Sequence, residues 1–134
     1  MIVSTRGRYA LRVLTDIAEH ASDARIPLKE VAERQEISQK YIEAIMTLLS
    51  KNGFVDAVQG KGGGYKLNRK PEEYKVGDIL RLTEGTLAPV ACLEKDAKSC
   101  PRKEHCRTVE MWTKLDALIE GYLDNVTLAD LMKK

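Results

Sequence analysis

Three cysteines, Cys92, Cys100 and Cys106, fall within fifteen residues and are separated by gaps of seven and five. Thiolates are soft ligands, so the set suits an iron–sulfur cluster or, with His105 added, zinc. The same thiols can also remain free and respond to oxidation. Three cysteines clustered in this way do not make a disulfide framework. A second candidate is the stretch from Gln59 to Leu67, QGKGGGYKL, with four glycines in five positions around Lys61. Glycines around a lysine can cradle a nucleotide phosphate or form the thin tip of a hairpin. The flanking elements decide between these.

Apolar positions at Tyr9, Ala10, Val13, Leu14, Ile17, Ala18 and Ala21 form one stripe of a first helix over 6–21. Ser22 to Arg25 reads as a loop. Pro27 suits the first turn of a short second helix near 27–35, with Leu28, Val31 and Ala32 facing inward. Ser38 is placed to cap a third helix carrying Tyr41, Ile42, Ile45, Leu48 and Leu49, and Ile37 can staple onto Ile42. Asn52-Gly53 ends it. Two helices joined by about three residues make a helix-turn-helix unit. Its outward face carries Gln39, Lys40, Glu43, Ala44 and Thr47, groups able to meet base edges and phosphates, although a helical hairpin with a solvated face fits the same pattern.

The glycines follow directly. Phe54 to Val58 alternates apolar and polar residues apart from Ala57, and Tyr65-Lys66-Leu67 reads as its partner strand. A dinucleotide fingerprint would need a further glycine where Tyr65 stands, and a helix straight after it. A Walker loop would need Ser or Thr after Lys61, but Gly62 follows. The nucleotide reading fails. Three helices followed by a glycine-tipped hairpin is the order of a winged helix, whose tip can enter a minor groove with Gln59 and Lys61 at base edges or phosphates. An ordinary surface hairpin is the alternative.

Charge distribution agrees with this order. The 134 residues carry a net charge of only +2, but residues 1–70 hold 12 Lys/Arg against 8 Asp/Glu and residues 71–134 hold 10 against 12. The basic excess lies where a polyanion would dock. No apolar run approaches the roughly 20 residues that cross a bilayer, and the N-terminus lacks signal-peptide order, so a cytoplasmic protein is expected. Nothing pairs a nucleophile with a base, and no enzyme chemistry is indicated.

Val76 to Gly85 reads as a short helix closed by glycine, and Pro89 opens the irregular, charged stretch that holds the cysteines. From about Glu104 to Asn125 a long helix is expected. Val109, Trp112, Leu115, Leu118, Ile119, Tyr122 and Leu123 lie along one stripe, and Thr127 caps a final turn. Such a stripe needs a partner, either the domain's first helix or the same helix of a second subunit. A two-fold dimer is the favoured solution because it presents two recognition helices to a palindromic site. With aromatic residues only 5% of the chain, further burial by dimerisation is also expected. The fold class is therefore mainly α with a small β-hairpin wing. Residues 1–85 form the DNA-binding domain with the wing at about 54–67, 86–103 the connector and cysteine loop, and 104–134 the dimerisation helix and C-terminal turn.

These residues together resemble the IscR/NsrR/CymR family, the Rrf-two type of bacterial winged-helix transcription factors. The resemblance spans nearly the whole chain. It rests on Ser4-Thr5-Arg6-Gly7-Arg8-Tyr9-Ala10, Leu28-Lys29-Glu30-Val31-Ala32, Ile37-Ser38 with Tyr41-Ile42-Glu43, Gly62-Gly63-Gly64-Tyr65, and Val76-Gly77-Asp78-Ile79 with Glu84-Gly85. It implies a homodimeric regulator, such as a repressor, on a palindromic operator. Glu43 would accept from a cytosine amino group, with Ser38, Gln39, Lys40 and Tyr41 around it. Arg6 and Arg8 would anchor the backbone, or simply be solvated. Iron–sulfur members of the family often place an arginine in the minor groove where this chain has Gln59, which implies a different operator preference.

Cluster-binding members carry three cysteines in this region, usually with five residues in each gap, so the resemblance implies a two-iron or four-iron cluster on Cys92, Cys100 and Cys106. One branch adds a histidine at the position of Val109. Another adds an aspartate from the partner subunit, where this chain has Arg8. Some relatives lack the triad and respond to cysteine-synthesis enzymes or other signals. A cluster-free regulator acting through a partner protein or thiol oxidation is therefore the alternative.

Overall fold

A computed structural model describes residues 3–20, 26–60 and 64–132. Helix α1 (Thr5–Glu19) starts where the Ser4 hydroxyl accepts a hydrogen bond from the Gly7 amide. Helix α2 (Leu28–Gln35) is joined to α3 (Gln39–Lys51) by Glu36, Ile37 and Ser38. Glu36 sits in the left-handed region at φ 55°, a conformation few non-glycine residues adopt, and it gives the connection its sharp turn. Ser38 caps α3 as expected, its Oγ accepting from the Tyr41 amide at 3.2 Å. Pro27 differs from expectation: with ψ 137° it is extended and precedes α2 as its cap residue, so its fixed φ serves the entry to the helix. The 22–25 loop lies outside the described residues.

Gly53 takes φ 78° after α3, and the chain enters a two-stranded antiparallel hairpin, β1 (Val55–Ala57) and β2 (Tyr65–Leu67). Val55 pairs with Leu67 and Ala57 with Tyr65. An isolated bridge from Ile26 to Tyr65 ties the wing to the entry of α2. At the wing's base the buried Tyr74 hydroxyl donates to the Phe54 carbonyl at 2.6 Å and accepts from the Asn68 amide at 3.1 Å. Helix α4 (Val76–Glu84) ends at Gly85, φ 81°, and the closing elements are α5 (Val109–Asp124) and α6 (Leu128–Leu131).

The main core joins Val13, Leu14 and Ile17 of α1 to Val31 of α2 and Ile42, Ile45, Met46 and Leu49 of α3. Ile37 and Ile42, the expected staple pair, share it. Leu128 of α6 is also wholly buried there, so the chain's last helix returns to the head. A smaller cluster of Val76, Leu80 and Leu87 receives Ile119 and Leu123 from α5.

Two features of α5 depart from the sequence reading. The helix begins at Val109 rather than near Glu104, because Lys103–His105 forms a separate 3-10 turn and Cys106 is extended (ψ 115°). The single apolar stripe also divides. Ile119 and Leu123 pack on the α4 cluster, while Met111, Leu115, Leu118 and Tyr122 face solvent, Leu118 and Tyr122 with 70% and 71% of their surface exposed. The physical reason is width: the apolar set is too broad for one contact, so α4 covers one side only.

Candidate nucleic-acid interface and cysteine loop

Packing of Ile42, Ile45, Met46 and Leu49 into the head turns the opposite side of α3 outward, and Gln39, Lys40, Tyr41, Glu43, Ala44 and Thr47 are all exposed. Gln39 Nε2 reaches Glu43 Oε1 at 3.5 Å, and Thr47 donates to the Glu43 carbonyl at 2.8 Å. The two walls of a cleft of about 320 Å³ meet here: Gln39, Glu43 and Thr47 on α3 face Lys29 of α2 and Tyr65 of the wing. Lys29 has no acidic partner among the described residues. Sequence reasoning gave Lys29 no role, since only the approach of the wing to α2 makes it part of this face. Gln59 is exposed on the rising arm of the wing, and Lys61 lies outside the described residues.

A buttress behind α3 fixes its entry. The Tyr41 ring meets Tyr9 edge-on at 5.5 Å, and the Arg12 guanidinium covers the Tyr9 ring at 5.1 Å. Arg12 also donates to the side chain and carbonyl of Gln35, the last residue of α2. Gln35 in turn donates to the buried Asp16 at 2.8 Å, and Arg34 grips both Asp16 oxygens at 2.6 to 3.1 Å. Burial pushes the Asp16 carboxyl up, but hydrogen bonds from Arg34 and Gln35 and the Arg34 charge outweigh it, leaving it below the ordinary value of 3.8. This lock between α1 and the turn was not found from sequence. Its signal was an aspartate beside Ile17 on the inward stripe of α1.

Arg8 donates to Thr5 at 3.1 Å within the exposed first turn of α1. That turn is bound to the end of α4. The Ser4 amide and hydroxyl both donate to the Glu84 carboxylate, and Arg6 donates to the Thr83 carbonyl at 2.9 Å. The approach is close enough that a Cβ on Gly7 would come within 3.0 Å of Thr83 Oγ1.

Cys92 and Cys100 are exposed and Cys106 is half-buried. All three cysteines line one cavity of about 440 Å³ beside the start of α5, with Lys98, Val109 and Thr113. Hydrogen bonding to the Thr108 side chain and amide holds the Cys106 thiol below its ordinary value, and the nearby Arg102 charge acts the same way. The donor set fits a soft, cluster-type group in chemistry. Among the described residues the thiols are not drawn together to metal-binding distance. His105 does not line the cavity, and apolar Val109 does.

Three helices, a sharp turn into an exposed polar helix, and a hairpin beside it define a winged helix-turn-helix DNA-binding protein. Over residues 3–134 the chain matches the family model described as Rrf2, iron-dependent transcriptional regulator, and it belongs to that family. It is 40% identical over 133 residues to protein rrf2 of Nitratidesulfovibrio vulgaris, covering 99% of this chain and 88% of that one. It is 36% identical to the transcriptional regulator IscR of Serratia proteamaculans, covering 98% and 79%. Among solved structures, CymR, the global cysteine regulator of B. subtilis, superposes with a TM-score of 0.79 at 32% identity, over 98% of this chain and 95% of that one. T. potens IscR superposes with a TM-score of 0.75 at 37% identity, over 98% and 85%. The chain is thus a DNA-binding transcriptional regulator and not an enzyme. No described helix is long and apolar enough to cross a membrane.

Proposed function

We propose that the protein is a cytoplasmic homodimer that binds a palindromic operator and adjusts its affinity to iron–sulfur, redox or nitric-oxide status through a cluster on Cys92, Cys100 and Cys106. In this reading residues 1–85 bind DNA and 104–134 pair the subunits. The carrying observation is that the three cysteines line one cavity at the head of α5. Dimerisation through α5 is supported by its exposed Met111, Leu115, Leu118 and Tyr122. Two α3 helices would then enter major grooves about 34 Å apart. Glu43 would accept from a cytosine amino group there, with Gln39, Lys40 and Tyr41 beside it. Ser38, whose Oγ already accepts from the Tyr41 amide, keeps its hydroxyl proton for a phosphate. Arg8 and the wing residues Gln59 and Lys61 would hold the flanking backbone and minor groove.

A cluster supplies redox and nitric-oxide reactivity when bound. The chain's own part is mechanical. Cys92, Cys100 and Cys106 would hold the group, and doing so would fasten three points of the loop that joins α4 to α5. The end of α4 grips the first turn of α1 through Glu84 and Ser4, and Tyr9 of α1 bears on Tyr41 at the entry of α3. A shift of α4 therefore bears on the reading helix through contacts already made.

The test is a visible spectrum with iron and acid-labile sulfide assays on protein purified without oxygen. Broad visible absorption with iron and sulfide in comparable amounts is expected, and Cys92→Ala, Cys100→Ala and Cys106→Ala should each lose it. Protein that stays colourless after anaerobic reconstitution overturns the cluster and leaves a regulator whose cysteines are thiols. Sedimentation of Leu118→Glu checks the dimer separately: a monomer is expected, and an unchanged dimer removes α5 as the interface.

A further inference from the structure

The cleft between α3 and the wing assigns a chemical role to Thr47. Its hydroxyl is turned back onto its own helix, donating to the Glu43 carbonyl at 2.8 Å. With its proton committed there the hydroxyl can only accept, and the γ-methyl is the other part of the side chain available to the cleft that Thr47 lines. Glu43 lies one turn earlier on the same wall, and Gln39 one turn before that. Across the cleft stands Lys29, a cation without an acidic partner among the described residues. If α3 occupies a major groove and the wing the adjacent minor groove, the sugar-phosphate strand between those grooves must pass through this cleft. Lys29 would then be on the wall that meets phosphate, and Thr47 on the wall that meets base edges.

We infer that Thr47 reads the 5-methyl group of a thymine through its γ-methyl, while Lys29 holds the backbone of the neighbouring strand and fixes the register of that contact. Apolar contact with the thymine methyl is the one major-groove feature a threonine methyl can recognise. Thr47 is four residues beyond Glu43, about 6 Å along the helix. With base pairs spaced about 3.4 Å apart, the thymine lies one or two pairs from the base that Glu43 reads. The inference rests on α3 being the major-groove element and adds a second, chemically distinct specificity to it.

The experiment uses full-length protein and a pool of duplexes with a randomised core. Sites are selected with the unaltered chain, and each thymine of the selected site is then replaced singly by deoxyuridine, which lacks only the methyl. One such replacement is expected to weaken binding about fourfold, the worth of one buried methyl. Thr47→Ser, which keeps the hydroxyl and drops the methyl, should weaken binding to the thymine duplex by the same factor. It should be indifferent to deoxyuridine at that position. Thr47→Val, which keeps the methyl shape, should retain sensitivity to the replacement. Lys29→Ala should weaken binding to all duplexes alike and lower its dependence on salt. A selected site in which no thymine methyl matters, or in which Thr47→Ser responds to deoxyuridine as the parent does, overturns the inference. Glu43→Ala separates this from failure of the underlying reading. If Glu43→Ala changes base preference and Thr47→Ser does not, only the thymine contact falls. If neither changes any preference, α3 is not the reading element.

Discussion

Helix α3 buries Ile42, Ile45, Met46 and Leu49 over 13 residues, whereas α5 buries none over 16. Both are amphipathic, and both have a face turned away from the head. In α3 that outer face is polar, so the helix is complete within one chain and its exposed side is free to meet a ligand. In α5 the outer face is apolar and only the inner edge is covered, by Val76, Leu80 and Leu87. The lesson is that exposure means opposite things in the two regions. On α3 it marks a surface that can stay in water until DNA arrives, and on α5 it marks a surface that water does not suit.

The largest test of this contrast is a pair of truncations. Ile42→Ala empties a site with no solvent exposure and should cost about 2–5 kcal/mol in urea unfolding of dilute protein. Leu118→Ala removes a side chain 70% exposed in the single chain and should cost less than about 0.5 kcal/mol under the same conditions. If the proposed dimer forms, the cost of Leu118→Ala should grow with protein concentration and that of Ile42→Ala should not. Equal costs at every concentration would erase the distinction between the two helices.

The same contrast explains what the sequence made legible. Ser38 as a cap and Gly53 and Gly85 as helix ends are local chemistry, each decided by a few neighbouring residues, and all three stand where expected. The apolar stripe of α3 meets a wall of the same chain, so periodicity alone located its buried side, apart from Met46, which is wholly buried where Leu48 is only partly so, and Tyr41, which is exposed. The stripe of α5 could not be divided in the same way, because α4 approaches it from one side only and nothing local to α5 records that. Its start was misplaced for a related reason: Glu104 and His105 continue a helical pattern, but the extended Cys106 interrupts it. Lys29 and the Asp16–Arg34 lock belong to tertiary approach and left only faint marks in the chain. The three cysteines were plain as a set, and their common cavity depends on how the loop folds over the start of α5.

A medium-sized effect should come from the lock that holds the head's turn. Asp16 is 2% exposed and Arg34 is 31% exposed, so removing the aspartate charge frees Arg34 toward water rather than stranding it. Asp16→Asn should therefore cost about 1.5–3 kcal/mol, the range for hydrogen bonds to a charged group, at neutral pH. The sign with pH follows from the lowered Asp16 value. The stabilisation is fully present above the ordinary aspartate value of 3.8 and is lost as pH falls through the lower folded value. The gap between parent and variant should thus be constant from neutral pH down to about 4 and close below it. A gap that closes in the alkaline direction instead would mean that the lock draws its strength from another group.

The smallest effect on stability is expected where α5 is fastened. Arg81 donates to both Asp124 oxygens at 2.8 Å, and the Asp124 carboxylate lies so close to α4 that a Cβ on Gly77 would sit 2.1 Å from Asp124 Oδ1. Gly77→Ala must displace that carboxylate. The pair is about one-third exposed on each side, so its loss should cost no more than about 1 kcal/mol. Alanine in place of glycine inside a helix returns about the same amount. Net stability should change little, and a single denaturation curve cannot distinguish cancellation from absence of contact. A double-mutant cycle with Asp124→Ala can. Once the carboxylate is gone, Gly77→Ala should become stabilising by up to about 1 kcal/mol, because the helix propensity remains and the other near neighbour, Arg81 Nη1 at 3.1 Å, is the end of a flexible side chain that can give way. If Gly77→Ala has the same effect with and without Asp124, α5 is not held against α4 at this point. The contrast between the self-contained α3 and the one-edged α5 would then sharpen further, with α5 attached through Ile119 and Leu123 and the longer Arg81–Glu120 pair at 3.7 Å.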